Sequence, residues 1–194
     1  MGNLLSSLYS KFFEPKFTIL ILGLDAAGKT SILNKFKSEE PNRLYLDNFH
    51  YILERHYENY KFLEIDIGAC DSINLENYSF NENGIIFVVD SHDKDRMEDA
   101  LEEFNKILKI EKFKNHPILV LANKQDLDDA FGLGEIIEKF KIKEIQGRSL
   151  LVQGCSAKDG NGIKEGFYWM ENIINKNNLK CFINIIIMLF IIMN

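Results

Sequence analysis

The 194-residue sequence has little of what builds disulfide frameworks or metal clusters. It contains three cysteines, Cys70, Cys155 and Cys181, and their odd number and wide spacing exclude a disulfide framework and a zinc motif. The four histidines are scattered and show no spacing typical of metal ligands or of a catalytic triad. A reduced, intracellular protein is therefore expected.

Net positive charge is lacking as well. The formal net charge of −6 at pH 7 gives no electrostatic support for a nucleic-acid-binding protein. No long apolar run opens the chain, so a cleavable signal peptide is not expected, and no internal repeat is evident. Apolar residues make up 46% and charged residues 27%, which is ordinary for a globular protein with one sizeable core.

A phosphate-binding pattern is present near the start of the chain. Residues 23–30 read Gly-Leu-Asp-Ala-Ala-Gly-Lys-Thr and fit G-x-x-x-x-G-K-[ST], between a predicted strand at 17–22 and a predicted helix at 31–37. In such a loop the backbone N–H groups cradle phosphate oxygens, Lys29 reaches the β- and γ-phosphates, and the Thr30 hydroxyl ligates Mg²⁺. The predicted phosphate-binding residues are Gly23, Leu24, Asp25, Ala26, Ala27, Gly28, Lys29, Thr30 and Ser31.

The first residues predict a lipid-modified arm. Residues 1–6 read Met-Gly-Asn-Leu-Leu-Ser and fit M-G-x-x-x-[ST], the acceptor pattern for N-myristoylation of Gly2. Apolar residues recur at helical spacing up to residue 13, which predicts an amphipathic helix within an arm over 1–16. Such a helix can lie in a membrane interface, dock in a groove, or simply pack on the domain.

An antiparallel hairpin is predicted after a polar, irregular segment at 38–48. Its strands are 49–54 and 61–67, joined by a turn near residues 58 and 59. The second strand ends at Asp66, followed closely by Gly68. A carboxylate at the end of a strand in a phosphate-loop protein holds Mg²⁺ through water.

The remaining pattern alternates buried strands with amphipathic helices. Strands are predicted at 85–90, 118–122 and 149–152, and helices around 97–108, 135–141 and 163–174.

Two short motifs follow strands in this part of the chain. Asn123-Lys124-Gln125-Asp126 fits N-K-x-D, in which the Asp126 carboxylate accepts hydrogen bonds from the guanine N1–H and 2-amino groups. Adenine offers neither donor, so it would leave a buried carboxylate unpaired. The Lys124 stem would pack along the base plane. In the second motif, Ser156-Ala157-Lys158, a backbone N–H could donate to guanine O6.

With these motifs in order, the sequence resembles a small Ras-like GTPase and, more narrowly, the ADP-ribosylation factor (Arf/Arl) family. The resemblance covers roughly residues 1–176 and is poor from 38 to 83. The matching features are the Met1-Gly2 start, GLDAAGKT at 23–30, the hairpin into Asp66-x-Gly68, IIFVVDS at 85–91, LANKQDL at 121–127, the Ser156-Ala157-Lys158 motif, and Glu165-Gly166 with Trp169.

The resemblance implies an α/β phosphate-loop fold of three layers. Its sheet would have about six strands, mostly parallel with one antiparallel hairpin strand, and helices on both faces. It implies GTP or GDP with Mg²⁺ as cofactors, and Gly68 and Ala69 as further nucleotide contacts. It also implies a switch that expels the arm onto a Golgi or other endomembrane, exchange factors, GTPase-activating proteins, and coat or tether effectors of vesicle and protein transport.

Three departures from the family pattern affect the switch segments. The Mg²⁺-ligating threonine of the first switch is absent, and Asp47 stands near its position. Cys70 replaces the glutamine that orients the attacking water, and Ala69 replaces the glycine before it. Ile65 stands where the family has tryptophan, and the segment after Asp71 is about two residues short.

These departures predict retained nucleotide binding with very slow or absent intrinsic hydrolysis, so no residue is assigned as catalytic. The alternative to a membrane-recruited switch is a pseudo-GTPase or nucleotide-locked scaffold. An ATP-dependent kinase is disfavoured by Asn123-Lys124-x-Asp126.

An apolar tail follows the predicted GTPase domain of residues 17–176. Residues 181–193 are almost wholly apolar, but thirteen residues are too few for an ordinary transmembrane span of about 20. The tail at 177–194 is interpreted as a shallow anchor, a strand or helix covering an apolar groove, or a gene-model artefact.

Overall fold

The computed structural model describes residues 17–36, 40–45, 51–58, 60–67 and 75–193, and from residue 179 it describes the backbone alone. The arm at 1–16 lies outside these residues. The arm includes Gly2, the predicted lipidation site. Four further residues with a predicted role also lie outside the described residues: Asp47, Gly68, Ala69 and Cys70.

A seven-stranded sheet forms the centre of the fold. Its strands are β1 (Phe17–Gly23), β2 (Asn42–Tyr45), β3 (Tyr51–Tyr57), β4 (Tyr60–Asp66), β5 (Gly84–Asp90), β6 (Ile118–Asn123) and β7 (Leu150–Gly154). The strand order is β2-β3-β4-β1-β5-β6-β7. The neighbouring strands β4-β1-β5-β6-β7 pair in parallel, and the pairs β2–β3 and β3–β4 are antiparallel. The α/β fold class predicted from the sequence is confirmed.

Strand β2 corrects the prediction of an irregular segment over 38–48. Its residues pair antiparallel with β3, from Asn42 opposite Glu54 to Tyr45 opposite Tyr51. All four of its side chains are exposed, so the strand lacks the apolar alternation by which a half-buried strand is recognised. Among the described residues, the sheet therefore has seven strands rather than about six, and two antiparallel pairs.

The predicted hairpin is confirmed. Strands β3 and β4 pair antiparallel up to Tyr57 opposite Tyr60. Glu58 takes a left-handed backbone conformation with φ of 50° in the turn between them.

In the described part of the chain, four α-helices cover the two faces of the sheet. They are α1 (Lys29–Leu33), α2 (Met97–Lys109), α3 (Leu133–Lys139) and α4 (Ile163–Met193). Helices α2 and α3 pack on one face through Phe104 and Ile136, and α1 and α4 pack on the other through Ile32 and Met170. Strands β1, β5 and β6 are buried almost throughout, as central parallel strands must be when both faces are covered.

Helix α1 differs from its predicted bounds of 31–37. It begins at Lys29, directly after the glycine loop, and after Leu33 it tightens into a 3₁₀ turn, Asn34–Phe36. The ring of Phe36 packs against Phe62 and Phe167, which fixes the end of this turn against β4 and α4.

Helix α4 runs without a break from the domain into the apolar tail. Its last residue in the described core is Ile174, and its backbone stays helical to Met193. Within the described part of the chain, no helix combines the length and apolar content needed to cross a membrane.

Candidate functional site

The loop at 23–30 connects β1 to α1 at the carboxyl end of the parallel strands. Gly28 has φ of 99°, and a Cβ there would lie 2.2 Å from the Asn123 side-chain nitrogen. Gly23 is equally constrained, because its Cβ would lie 2.4 Å from the Val88 carbonyl oxygen. Both positions therefore need glycine, for its backbone freedom and for its lack of a side chain. The loop is consequently held close to β5 and β6.

Lys29 is buried at the base of this loop. Its side chain is 2% exposed, and its ammonium group donates to the carbonyl oxygens of Gly23 at 2.8 Å and Leu24 at 2.7 Å. It also forms an ion pair with Asp66, whose side chain is 57% exposed. Strand pairing explains this meeting, since Asp66 lies opposite Gly23 in the β1–β4 register. A buried cation thus lies beside the point where anionic phosphate oxygens are expected.

Thr30, the next residue, contacts the sheet beneath it. Its hydroxyl donates a hydrogen bond to the Glu64 carboxylate of β4. Glu64 is 5% exposed, and its second carboxylate oxygen lies 3.7 Å from the Arg55 Nε of β3. Burial raises the pKa of Glu64, while the hydrogen bond from Thr30 and the charges of Arg55 and Lys29 act in the opposite direction.

Asn123, at the end of β6, joins the phosphate loop to the loop after β7. Its side-chain nitrogen donates to the Ala27 carbonyl oxygen at 2.9 Å, and its side-chain oxygen accepts from the Ala157 N–H at 2.9 Å. Asn123 is 1% exposed. One buried amide therefore fixes the distance between two predicted ligand-binding segments.

Asp126 lies in the loop after β6, close to these two segments. Its carboxylate accepts a hydrogen bond from the Ser156 hydroxyl at 2.8 Å and lies 3.7 Å from the Lys158 ammonium. The Ser156 hydroxyl oxygen in turn accepts from the Lys158 N–H at 3.2 Å. The acidic group is thus held in place by the motif at 156–158, as a base-reading carboxylate needs to be.

Lys124 lies between these groups and the end of β5. Its backbone is left-handed, with φ of 67°, and its ammonium lies 2.5 Å from the Asp90 carboxylate. This ion pair holds the lysine side chain between the ends of β5 and β6. The cleft has a volume of about 350 Å³, and its lining residues are Ala26, Gly28, Ser31, Asn123, Lys124, Asp126, Leu127, Ala157 and Lys158.

The described residues fit Mg²⁺ better than a metal held wholly by protein. Among them, no group of three or more histidine, cysteine, aspartate or glutamate side chains could hold a metal ion. What they offer is the Thr30 hydroxyl and the Asp66 carboxylate near a phosphate loop. Mg²⁺ is typically bound by one or two such oxygens together with phosphate and water.

The structure brings together most of the residues that the sequence predicted for the site. The loop at 23–30 and the motifs at 123–126 and 156–158 meet around one cleft. Glu64 and Arg55 were not predicted to lie here, although a charged residue inside the apolar run of β4 was a visible signal. The site also includes Asp90, whose contact with Lys124 depends on the pairing of β5 with β6.

Comparison with known protein families finds a match over most of the chain. The model of the ADP-ribosylation factor family matches residues 1–174. The match includes every residue of the cleft described above, and it includes the predicted arm at 1–16.

Proposed function

The chain belongs to the ADP-ribosylation factor family of GTP-binding regulatory GTPases, which bind GTP or GDP with Mg²⁺, and from this we propose that it is a membrane-recruited switch in vesicle and protein transport. Members of the family interact with exchange factors, GTPase-activating proteins and effectors. Coat or tether proteins are the effectors proposed here, and a Golgi or other endomembrane is the proposed location.

The observation that carries the nucleotide assignment is the double contact of Asn123. Because Asn123 binds Ala27 and Ala157 at once, it sets the phosphate loop and the motif at 156–158 on two sides of one cleft. A guanine nucleotide likewise has a charged end and an aromatic end. We assign the phosphates to the loop at 23–31 and the base to the opposite side.

Base selection is assigned to Asp126, which is pre-positioned by Ser156 and Lys158. The backbone N–H groups of residues 156, 157 and 158 donate to the Asn161 carbonyl, the Asn123 side chain and the Ser156 hydroxyl. An N–H that donates to guanine O6 would therefore exchange one of these contacts for the base. Gly68 and Ala69 are proposed as further contacts of the γ-phosphate, on sequence grounds.

The metal site is assigned to Thr30 directly and to Asp66 through water, with Asp47 as a further candidate from the sequence. Mg²⁺ bound there would neutralise phosphate charge. Lys29 supplies the matching protein charge, since its ammonium is already held at the carboxyl end of β1.

Membrane recruitment is assigned to the arm at 1–16 with a myristoyl group on Gly2. A groove of about 360 Å³ between the hairpin and α4 supports this, because it offers an apolar arm a place on the domain. Its aromatic lining residues are Phe36, Tyr57, Tyr60, Phe62, Phe167 and Tyr168. Release of the arm from such a groove would present the arm to a membrane.

The nucleotide that co-purifies with the protein tests the switch against a nucleotide-locked scaffold. We expect bound GDP or GTP that exchanges when Mg²⁺ is chelated, because a regulatory GTPase must cycle. A nucleotide that stays bound in excess EDTA would support the scaffold, and purification without any guanine nucleotide would contradict both.

The membrane assignment is tested by Gly2→Ala with Asn3→Ala as the matched control. Gly2→Ala removes the glycine that the N-myristoylation pattern requires, so the protein is expected to become cytosolic while the control stays on membranes. Persistent membrane binding of Gly2→Ala would place the anchor in the tail at 177–194 instead.

A further inference from the structure

Glu64 is the one buried carboxylate that touches the residue assigned to Mg²⁺ in the described part of the chain. A threonine hydroxyl has one proton and two lone pairs. To ligate a cation, the oxygen must direct a lone pair at the ion, and its proton then needs an acceptor elsewhere. The Glu64 carboxylate accepts that proton.

We propose that Glu64 is a positioning residue of the Mg²⁺ site, which fixes the Thr30 hydroxyl with its free lone pair directed away from β4. A hydrogen bond to a carboxylate is stronger than one between neutral groups, and it makes the donating oxygen a better ligand. The inference rests on the proposed assignment of Mg²⁺ to Thr30 and Asp66.

The sheet register places Glu64 where this contact is possible. Side chains alternate along a strand, so Phe62, Glu64 and Asp66 lie on the same face of β4. That face is covered by α1, because Phe62 packs in the same cluster as Ile32. Glu64 therefore lies under the first turn of α1.

Arg55 lies beside Glu64, and its positive charge compensates the Glu64 carboxylate in an otherwise apolar layer. Its side chain is 7% exposed, and its Nε lies 3.7 Å from Glu64. The guanidinium also donates to the Asn34 side-chain oxygen at 3.2 Å, which ties it to the 3₁₀ turn after α1. The chain of contacts from Thr30 through Glu64 and Arg55 to Asn34 begins and ends on the same short helical segment.

Stability alone does not account for this buried pair. Replacing a buried ion pair with apolar residues of similar volume is often neutral or stabilising, because desolvation offsets the attraction. Among the described residues, neither the Arg55 Nε nor the second Glu64 oxygen has a hydrogen-bond partner, so the pair itself is loose. The firm contact of Glu64 is the one with Thr30, and that contact explains why a charge is kept here.

The test is the Mg²⁺ dependence of GDP release from the full-length protein. The release rate of a fluorescent GDP is measured from excess EDTA up to millimolar Mg²⁺ for the unmodified protein and Glu64→Gln. We expect Glu64→Gln to raise the Mg²⁺ concentration for half-maximal retention by about 10- to 100-fold, the usual range for a residue behind a metal ligand. The release rate in excess EDTA should stay unchanged, because no metal is bound there.

Two further variants separate positioning from folding. Glu54→Gln is the matched control, since Glu54 pairs with His56 and Lys61 on the same hairpin and not with Thr30. If Glu64→Gln does not fold, the double variant Arg55→Met/Glu64→Leu removes both charges of the buried pair and should show the same loss of Mg²⁺ retention. Faster release that is equal in EDTA and in saturating Mg²⁺ would overturn the proposal, as would an unchanged or lower Mg²⁺ midpoint.

Thr30→Ala distinguishes this inference from the function on which it rests. If Thr30→Ala leaves the Mg²⁺ midpoint unchanged, the proposed metal site is wrong and the role of Glu64 falls with it. If Thr30→Ala raises the midpoint and Glu64→Gln does not, only the Glu64 inference is wrong. When both are right, Glu64→Gln adds nothing in the Thr30→Ala background, because the two residues act through one oxygen.

Discussion

The side-chain nitrogen of Asn123 lies 2.9 Å from the carbonyl oxygen of Ala27, and this hydrogen bond spans 96 residues of sequence. It ties the loop after β1 to the end of β6, two strands away in the sheet. Because the amide is 1% exposed, water cannot replace it, so the loop shape depends on the integrity of this contact.

Gly28→Ala tests that dependence. The added Cβ would lie 2.2 Å from the Asn123 nitrogen at a backbone φ of 99°, so the contact must break and the loop must distort. We expect a loss of roughly 2–4 kcal/mol in the free energy of unfolding, measured by urea denaturation, and much faster GDP release. Gly134→Ala is the control, since nothing lies within 4 Å of its Cβ position on α3. Equal stability of the two variants would contradict the assigned loop geometry.

Asp126→Asn tests base selection. An amide cannot accept from both guanine donors as a carboxylate does, so the preference for GTP over ATP should fall at least about tenfold, given about 1.5–3 kcal/mol for one hydrogen bond to a charged group. Competition of unlabelled nucleotides against fluorescent GDP measures it. Asp128→Asn, an exposed neighbour, should leave the preference intact. Unchanged selectivity in Asp126→Asn would refute the base assignment.

The switch departures predict slow hydrolysis, and Ala69→Gly/Cys70→Gln restores the family residues at both positions. Glutamine can hold a water through its planar amide, which a thiol cannot. We expect single-turnover hydrolysis of bound GTP to rise on the order of tenfold or more. Cys181→Ser serves as the control for loss of a thiol. A fast rate in the unmodified protein, with or without an activating protein, would show that another group orients the water.

Cys155 should be chemically inert in the folded protein. Burial raises the pKa of its thiol to about 12, and only the thiolate reacts with disulfide reagents. In a Cys70→Ser/Cys181→Ser background at pH 8, the reaction should be about a thousandfold slower than in urea, where the thiol has its ordinary pKa.

The raised pKa of Cys155 also makes the free energy of unfolding depend on pH. The thiol ionises more readily in the unfolded chain, so its contribution to stability is fully present below pH 9 and is lost as the pH rises toward 12. Rapid labelling of the folded protein at pH 8 would mean that Cys155 is reached by solvent.

Local patterns predicted much of the fold, because they coincide with how the backbone is used. The run at 85–89 is apolar throughout because β5 is covered on both faces. The glycines of the loop at 23–30 mark positions where a side chain does not fit. At these positions, the residue types that form the sequence pattern are also the ones that the folded structure requires.

Other features depend on partners that lie far away in sequence. Strand β2 is exposed along its whole length and shows no apolar alternation, so its hydrogen bonds to β3 identify it as a strand. The meeting of Glu64 with Arg55 and Thr30 depends on the registers of β3 and β4, and hydrophobic patterns fix register only where a face is uniformly apolar. Predicting such contacts requires the sheet order, which a single sequence does not state.

Helix α4 has a practical consequence for handling the protein. The last side chain in the described core is Ile174, so a chain shortened after Asn178 keeps every residue of both packed layers. The removed part extends the helix by about 1.5 Å per residue, so its helical residues 179–193 together add about 22 Å. A fluorophore or an affinity tag at the C-terminus would therefore lie far from the sheet. Shortening the chain after Asn178 would remove an aggregation-prone apolar segment and leave the cleft unchanged.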